Sequence, residues 1–351
     1  MPAVYQSVSH RKEWASLVDS GRVIYLQNFW DGTLMSMTVA RITLSPVQFT
    51  DLVPIEKAAL EALGIRYVVC DLKKGEKPSA EVARADVIIG NTSYPIRKQE
   101  LAYFSQLKLV IICNSGYDHV DTDRLDERQI AWVHLPQPRA IDVSETTIMM
   151  MLDMLRRSPW QYREFVAGHW VRNQIENTSR LAGKTVGIVG FGHIGKRVAT
   201  LLAPFQPEVV LAFDPFLDDA EFIAYPVQRC VSLIELVKTC DIVTLHCSLT
   251  PSSHQCINRD VLRHARQGLR LINTARGGVV ALEAVCEALE NGIMSAYAVD
   301  VFPEEPLAPD HWLRHHPAVY GTPHSAGYSR DMLFHLIDEE VRVLREWLAD
   351  C

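Results

Sequence analysis

Residues 185 to 195 read Thr-Val-Gly-Ile-Val-Gly-Phe-Gly-His-Ile-Gly, and an acid, Asp214, ends a second apolar run, Val209 to Phe213. Glycines at this spacing, between a strand and a helix and followed by an acid about 20 residues on, form a dinucleotide-binding fingerprint. The pattern predicts a βαβ unit in a parallel sheet. Gly190 is expected to permit the tight turn after the strand, Gly192 to let the backbone approach a pyrophosphate, and Gly195 to let the next helix pack on the sheet. The amino end of that helix, at His193 and Ile194, then faces the phosphates. Asp214 is expected to accept hydrogen bonds from the adenosine ribose, and the nearby Asp218, Asp219 and Glu221 to repel a 2′-phosphate. NAD is therefore expected over NADP.

The chain has 351 residues, enough for about two domains, and a hydrophobic content of 48% gives it ample core. A formal net charge of −7 offers no electrostatic footprint for nucleic acid, and no run of Lys and Arg suggests a membrane surface. Small molecules are the expected partners. Eight cysteines, at positions 70, 113, 230, 240, 247, 256, 286 and 351, form no CxxC pair and no zinc-like spacing with histidine, so reduced thiols and no metal are expected. The most apolar helical stretch, Ile148 to Leu155, contains Asp153 and is far too short for a membrane span. A cytoplasmic location follows as the expectation.

Residues 1 to 38 show little periodicity and read as an extension. From Val39 the pattern alternates: strands at Val39–Leu44, Tyr67–Cys70, Val87–Ile89 and Leu109–Ile112, with helices at Leu52–Leu63, Ser79–Ala85 and near Arg97–Phe104. Val133 to Pro138 reads as a proline-bearing loop, and a long helix is expected from about Val143 to Arg156. Ser158 to Arg180 carries aromatic and polar residues without a strand signal. A second series has strands at Val186–Val189, Val209–Phe213, Ile242–Leu245, Leu269–Asn273 and Ala296–Val299. Strands alternating with helices predict two doubly wound α/β domains with parallel sheets.

Ligands of open α/β sheets bind beyond the carboxyl ends of the strands, so the polar residues there matter most. Arg276 follows a strand in Asn-Thr-Ala-Arg-Gly-Gly, where two glycines are expected to leave its guanidinium clear to grip a carboxylate with two parallel hydrogen bonds. Glu305 lies just past the strand Ala296–Val299, and His324 sits in the loop Gly-Thr-Pro-His-Ser-Ala-Gly. Singly, each has a bland reading: a strand-end arginine paired to a structural acid, a solvated loop acid, a capped loop histidine. Together they suit a 2-keto acid. The arginine holds the carboxylate and polarises the carbonyl, the histidine exchanges a proton with the oxygen, and the acid orients the histidine. The backbone amides of Asn91, Thr92 and Ser93 are expected to face the substrate carboxylate. Tyr94 and Trp312 are candidates for the pocket wall, although packing is the commoner duty of a loop aromatic.

From about Thr38 onward the chain resembles the D-isomer-specific 2-hydroxyacid dehydrogenase family. The matching segments are Ser115 to Asp121, Val186 to Gly195, Asp241 to Thr250, Leu271 to Gly278, Val299 to Pro306 and Thr322-Pro323-His324. The resemblance implies that Arg276, Glu305 and His324 are the catalytic arginine, glutamate and histidine, and that Gly190 to Gly195 and Asp214 form the NAD site. It also implies that Cys247, Thr250, Thr274 and Asp300 line the adenine and nicotinamide, with Asp300 on the carboxamide and Ser115 approaching the cofactor. Formate dehydrogenases of this kind pair the histidine with glutamine, whereas this chain has Glu305, so formate is disfavoured.

Phe213 to Leu217, Leu245 to Cys247, Ala275 to Gly278 and Pro323 to Ser329 are most similar to the C-terminal binding protein branch, which includes NAD-sensing corepressors. Gly327 replaces the active-site tryptophan of those corepressors. The expected arrangement is a substrate domain from residues 39 to 142 and 321 to 351, an NAD-binding domain from 143 to 320, and an active site in the cleft between them. An NAD-dependent oxidoreductase interconverting a 2-keto acid and its D-2-hydroxy acid is expected, with an NAD-sensing interaction protein as the competing class. A homodimer is also expected, from the apolar face of the helix Val143 to Arg156, from the aromatic segment Trp160 to Trp170 and from the resemblance.

Overall fold

The computed structural model describes residues 37–42, 53–92 and 94–349. The expected extension up to residue 36, the end of the strand at Leu44, the helix start at Leu52 and the candidate Ser93 lie outside the described residues. The chain forms two compact units, Met1–Arg139 with Ser329–Cys351, and Ala140–Tyr328.

The first unit is built on five parallel strands, β1 Thr38–Ile42, β2 Arg66–Cys70, β3 Val87–Gly90, β4 Leu109–Ile112 and β5 Ala131–His134, in the order β2-β1-β3-β4-β5. Both faces of this sheet are buried, which is why its strands read as continuous apolar runs. On β4, Leu109 and Ile111 enter one core while Val110 and Ile112 enter the other. The first of these cores is closed by the last helix, Arg330–Ala349, through Met332, Leu333, Leu336, Ile337, Val343 and Leu344. Each such side chain contributes about 1.5–3 kcal/mol on burial.

Strand β1 also carries a charge into this core. Arg41 is 2% exposed and its Nη2 lies against two buried carboxylates, Glu56 of helix α1 (Val53–Glu61) and Glu340 of the last helix. Its Nε donates to Glu56 Oε1 at 3.0 Å, the Tyr67 hydroxyl donates to Glu56 Oε2 at 2.5 Å, and the Cys113 thiol donates to Glu340 Oε1 at 3.0 Å. Two carboxylates thus face one guanidinium away from water. Burial pushes Glu340 up to about 7, with Glu56 adding to the shift and Arg41 opposing it. Burial alone would lower Arg41, but the two carboxylates outweigh it and hold the guanidinium firmly charged. The network joins the first strand to the last helix, so the carboxyl-terminal segment belongs to this unit by charge as well as by apolar packing.

The second unit has seven parallel strands, β6 Thr185–Val189, β7 Val209–Phe213, β8 Gln228–Arg229, β9 Ile242–Leu245, β10 Leu269–Asn273, β11 Met294–Val299 and β12 Val319–Gly321. Their order is β12-β11-β10-β9-β6-β7-β8. The chain winds outward from β6 through β7 to β8, then returns to place β9 on the other side of β6. That reversal is the switch point at which α/β sheets bind their ligands.

Several boundaries differ from the sequence reading. The long helix, α2, runs Gln137–Arg156 and starts in what read as a loop, because Pro138 occupies its first turn, where no amide hydrogen is needed. A further helix, α3 Ser158–Val166, stands where no element was expected, with proline again near its start. Ser79–Ala85 holds only a short turn of 3-10 helix, Val82–Arg84. Strands β5, β8 and β12 are short and carry little periodic signal, and none was expected.

Candidate active site

Strand β6 ends at the glycine turn. Gly190 has φ +88°, and a Cβ there would lie 2.5 Å from the Cys247 amide nitrogen, so both conformation and space require glycine. A Cβ on Gly195 would run into the Gly190 carbonyl, which fixes how closely helix α4, His193–Leu202, packs on the strand. Gly192 differs, because a Cβ there would meet no protein atom within 4 Å. It caps α4, and the amides of His193 and Ile194 open the helix beyond it. The chain thus leaves room at the positive end of a helix dipole, which suits a phosphate.

Asp214 follows β7 and is tied to this turn. Its Oδ2 accepts from the Phe191 amide at 2.9 Å and its Oδ1 from the Phe216 amide at 3.0 Å. Each oxygen keeps a lone pair for a hydroxyl. The neighbouring acids differ from expectation, since Asp219 pairs with Arg229 and Glu221 with Lys196. Each has a cationic partner, which leaves Asp214 and Asp218 to disfavour a 2′-phosphate. Cys247 abuts the glycine turn, whereas Thr250 hydrogen-bonds within its own turn, to Ser252 and Ser253.

Arg276 lies beyond β10 in a turn held from below. Buried Asn273 accepts from the Ala275 amide and donates to the Arg276 carbonyl, both at 3.0 Å. The following glycine has a different purpose from the one expected. A Cβ on Gly277 would overlap the Phe302 and Pro303 backbone, so this glycine brings the Arg276 turn against the loop that carries Glu305.

In that loop Glu305 Oε1 accepts from the Phe302 amide at 2.9 Å, and Oε2 lies 2.6 Å from His324 Nδ1. Burial alone would raise Glu305. The His324 hydrogen bond, the Phe302 amide, and the charges of His324 and Arg276 outweigh it and hold the carboxyl below the usual carboxylate range. Glu305 is therefore an anion at neutral pH, with a histidine on one side and an arginine acting on it from another. The structure brings Arg276, Glu305 and His324 into one electrostatic group.

His324 adopts φ +53°, unusual for a side chain of its size, and its loop is tightly held. Asp300, 1% exposed at the end of β11, accepts from Thr322 Oγ1 at 2.5 Å, the Ser325 amide at 2.8 Å and the Ala326 amide at 3.0 Å. Its carbonyl accepts from the His324 amide at 2.8 Å. Asp300 is thus the anchor of the histidine loop, a duty absent from the sequence reading. Helix α2 adds two more ties: Thr146 Oγ1 donates to the Ala326 carbonyl at 3.1 Å, and Thr147 Oγ1 lies 3.2 Å from Thr274 Oγ1. Adjacent threonines on a Met- and Leu-rich helix were the only sequence signal for this.

In the first unit, Asn91 and Thr92 follow β3, and Ser115 donates from Oγ to the Pro136 carbonyl at 3.4 Å. Tyr94 is no pocket wall. It is 1% exposed in the core, its hydroxyl donating to the Glu76 carbonyl at 3.3 Å. Trp312, in the second unit, packs between His311 and His316.

Two family models cover most of the chain. Residues 148–326 match the D-isomer specific 2-hydroxyacid dehydrogenase NAD-binding domain, and residues 47–203 match the catalytic domain of the same family. The chain belongs to this family. As a D-isomer specific 2-hydroxyacid dehydrogenase family member it is an NAD-dependent oxidoreductase acting on CH–OH donors. Formate dehydrogenase of Pichia angusta is 31% identical over 296 residues, spanning 81% of this chain and 80% of that protein. Among solved structures, D-lactate dehydrogenase from Aquifex aeolicus, complexed with NAD and lactic acid, has a TM-score of 0.77 at 26% identity, covering 89% of this chain and 96% of the other. The NAD-dependent formate dehydrogenase from Staphylococcus aureus, in complex with NAD, has a TM-score of 0.76 at 29% identity, with 89% and 96% covered. Among the described residues no helix is long and apolar enough to cross a membrane.

Proposed function

We propose that this family member interconverts a 2-keto acid and its D-2-hydroxy acid, and that Arg276, Glu305 and His324 carry the chemistry. The observation that supports this most is the 2.6 Å contact between Glu305 and His324 Nδ1, with the Arg276 charge acting on the same carboxylate. NAD, when bound, supplies or accepts the hydride. Gly190, Gly192 and Gly195, with the amides of His193 and Ile194, would receive its pyrophosphate, and Asp214 its ribose hydroxyls. Cys247, Thr250, Thr274, Asp300 and Ser115 complete the proposed cofactor contacts.

His324 uses Nδ1 for Glu305, which leaves Nε2 to give a proton to the forming alkoxide or to take one from the hydroxyl. Glu305 fixes the orientation of the ring through Nδ1, so that Nε2 is the nitrogen that exchanges the proton. Arg276 holds the substrate carboxylate with its planar fork and polarises the adjacent carbonyl. Asn91, Thr92 and Ser93 are proposed to meet the same carboxylate. Formate carries no hydroxyl oxygen that gains or loses a proton during hydride transfer, so a paired acid and histidine has no task there. Glu305 therefore favours a 2-keto acid even though formate dehydrogenases stand among the relatives. The deciding assay is NADH oxidation with a panel of 2-keto acids, run beside NAD reduction by formate. Turnover of a keto acid is expected, and turnover of formate alone would overturn the reading.

We further propose a cytoplasmic homodimer. Tyr162, Phe165, Val166 and Trp170 are each at least 66% exposed on and just after α3, an apolar surface suited to a second copy. Asp214 gives the cofactor a direct test. Asp214→Ala removes both the ribose acceptor and the two bonds that steady the turn, so NAD affinity should fall roughly tenfold or more and its advantage over NADP should narrow. Fluorescence titration with both nucleotides checks this, and an unchanged preference would contradict the assignment.

A further inference from the structure

At the amino ends of β6, β9, β10, β11 and β12, the second unit has a cavity of about 540 Å³. The glycine turn, Arg276, Glu305 and His324 all follow carboxyl ends, so this cavity lies at the other end of the same sheet. Its walls include Arg157, Lys184, Arg266 and Arg270, with Asp241 the sole acid among the described lining residues. Four cations against one carboxylate leave three positive charges in excess.

The acid is already engaged. Asp241 Oδ2 accepts from the Thr185 amide at 3.0 Å, and Oδ1 lies 3.4 Å from Arg266 Nη1. Arg157 stacks over the Trp160 ring at 4.8 Å and donates to the Glu176 carbonyl at 3.3 Å. Among the described residues the Lys184 ammonium and the Arg270 guanidinium make no hydrogen bond or ion pair. Arg270 projects from the interior strand β10 and is partly buried, with Asp241 and Tyr320 acting on it only through space. A partly desolvated guanidinium without a bonded partner is costly, and an anion in the cavity would relieve that cost.

We propose that this cavity is a second binding site, distinct from the NAD site, for a small phosphorylated molecule. Arg270 offers a planar fork for two phosphate oxygens and Lys184 a compact point charge for a third. The excess of three positive charges favours a multiply charged anion over a monocarboxylate. The volume is that of a site for a small organic molecule, larger than a bare ion requires, and Tyr320 supplies a ring at its edge.

The test is calorimetric titration of the full chain with inorganic pyrophosphate, at constant ionic strength and with NAD at saturation so that the cofactor's phosphate cradle is filled. One-to-one saturable binding is expected, weakened roughly tenfold or more by Arg270→Gln and by Lys184→Gln, while both variants bind NAD as the wild type does. Lys184 precedes β6, outside the strand and only half-buried, so its variant carries the test should Arg270→Gln fail to fold. Absence of saturable binding, equal binding by the variants, or loss of the pyrophosphate heat on NAD saturation would each overturn the proposal.

Discussion

His324→Ala should lower kcat for keto-acid reduction by about 10²–10⁴, the usual worth of a positioned general acid, while NADH binding stays near the wild-type value. The separation of the two effects follows from the loop. Asp300 holds the segment from Thr322 to Ala326 through backbone amides and a threonine hydroxyl, and none of these bonds uses the imidazole. Removing the ring therefore leaves the loop in place. Steady-state kinetics with a titration of NADH checks both halves. A fall in NADH affinity matching the fall in kcat would mean that the histidine serves the fold of the cofactor site and not the proton.

Arg41→Ala should destabilise the protein by about 3–5 kcal/mol, because it strands two carboxylates in the interior of the first unit. Denaturant unfolding reads this directly. Glu340 adds a pH dependence whose direction is fixed. Its carboxyl rises from 4.5 to about 7 in the folded protein, chiefly through burial. Between those values the native state holds a proton that the unfolded chain has released, so this group's contribution to stability falls as pH rises through the window. Glu340→Gln removes that contribution. The stability difference between wild type and variant should therefore change by a few kcal/mol, on the order of 3, between the two ends of the window. A difference independent of pH would contradict a protonated Glu340.

The parts of the fold that were legible are those whose cause is local. Gly190 is demanded by a positive φ and by the turn that follows its own strand, and the apolar runs of β3, β4, β6 and β9 reflect burial on both faces of a parallel sheet. Arg276 and Glu305 stand out in the sequence because each follows an expected strand, whereas His324 stands out only by its proline- and glycine-bearing loop, since β12 before it carries no periodic signal. What was not legible arises between distant segments. Gly277 looked like clearance for a side chain, whereas its neighbours are the backbone of Phe302 and Pro303. Asp219 and Glu221 read in sequence as a shield against phosphate, but Arg229 and Lys196 stand beside them. Nothing near Arg41 in sequence announces Glu340, 299 residues away. The start of α2 reads as a break because of its proline, yet in a first turn proline is tolerated.

The pairing of Glu305 with His324 is tested most directly by a double-variant cycle on kcat for reduction, with the keto acid that the wild type turns over best. Glu305→Gln alone should lower kcat, and the variant carrying both Glu305→Gln and His324→Ala should fall little below His324→Ala alone, because the glutamate acts through the ring it holds. Losses that multiply, with the double variant lower by the full factor of each single change, would contradict the proposed roles of both residues.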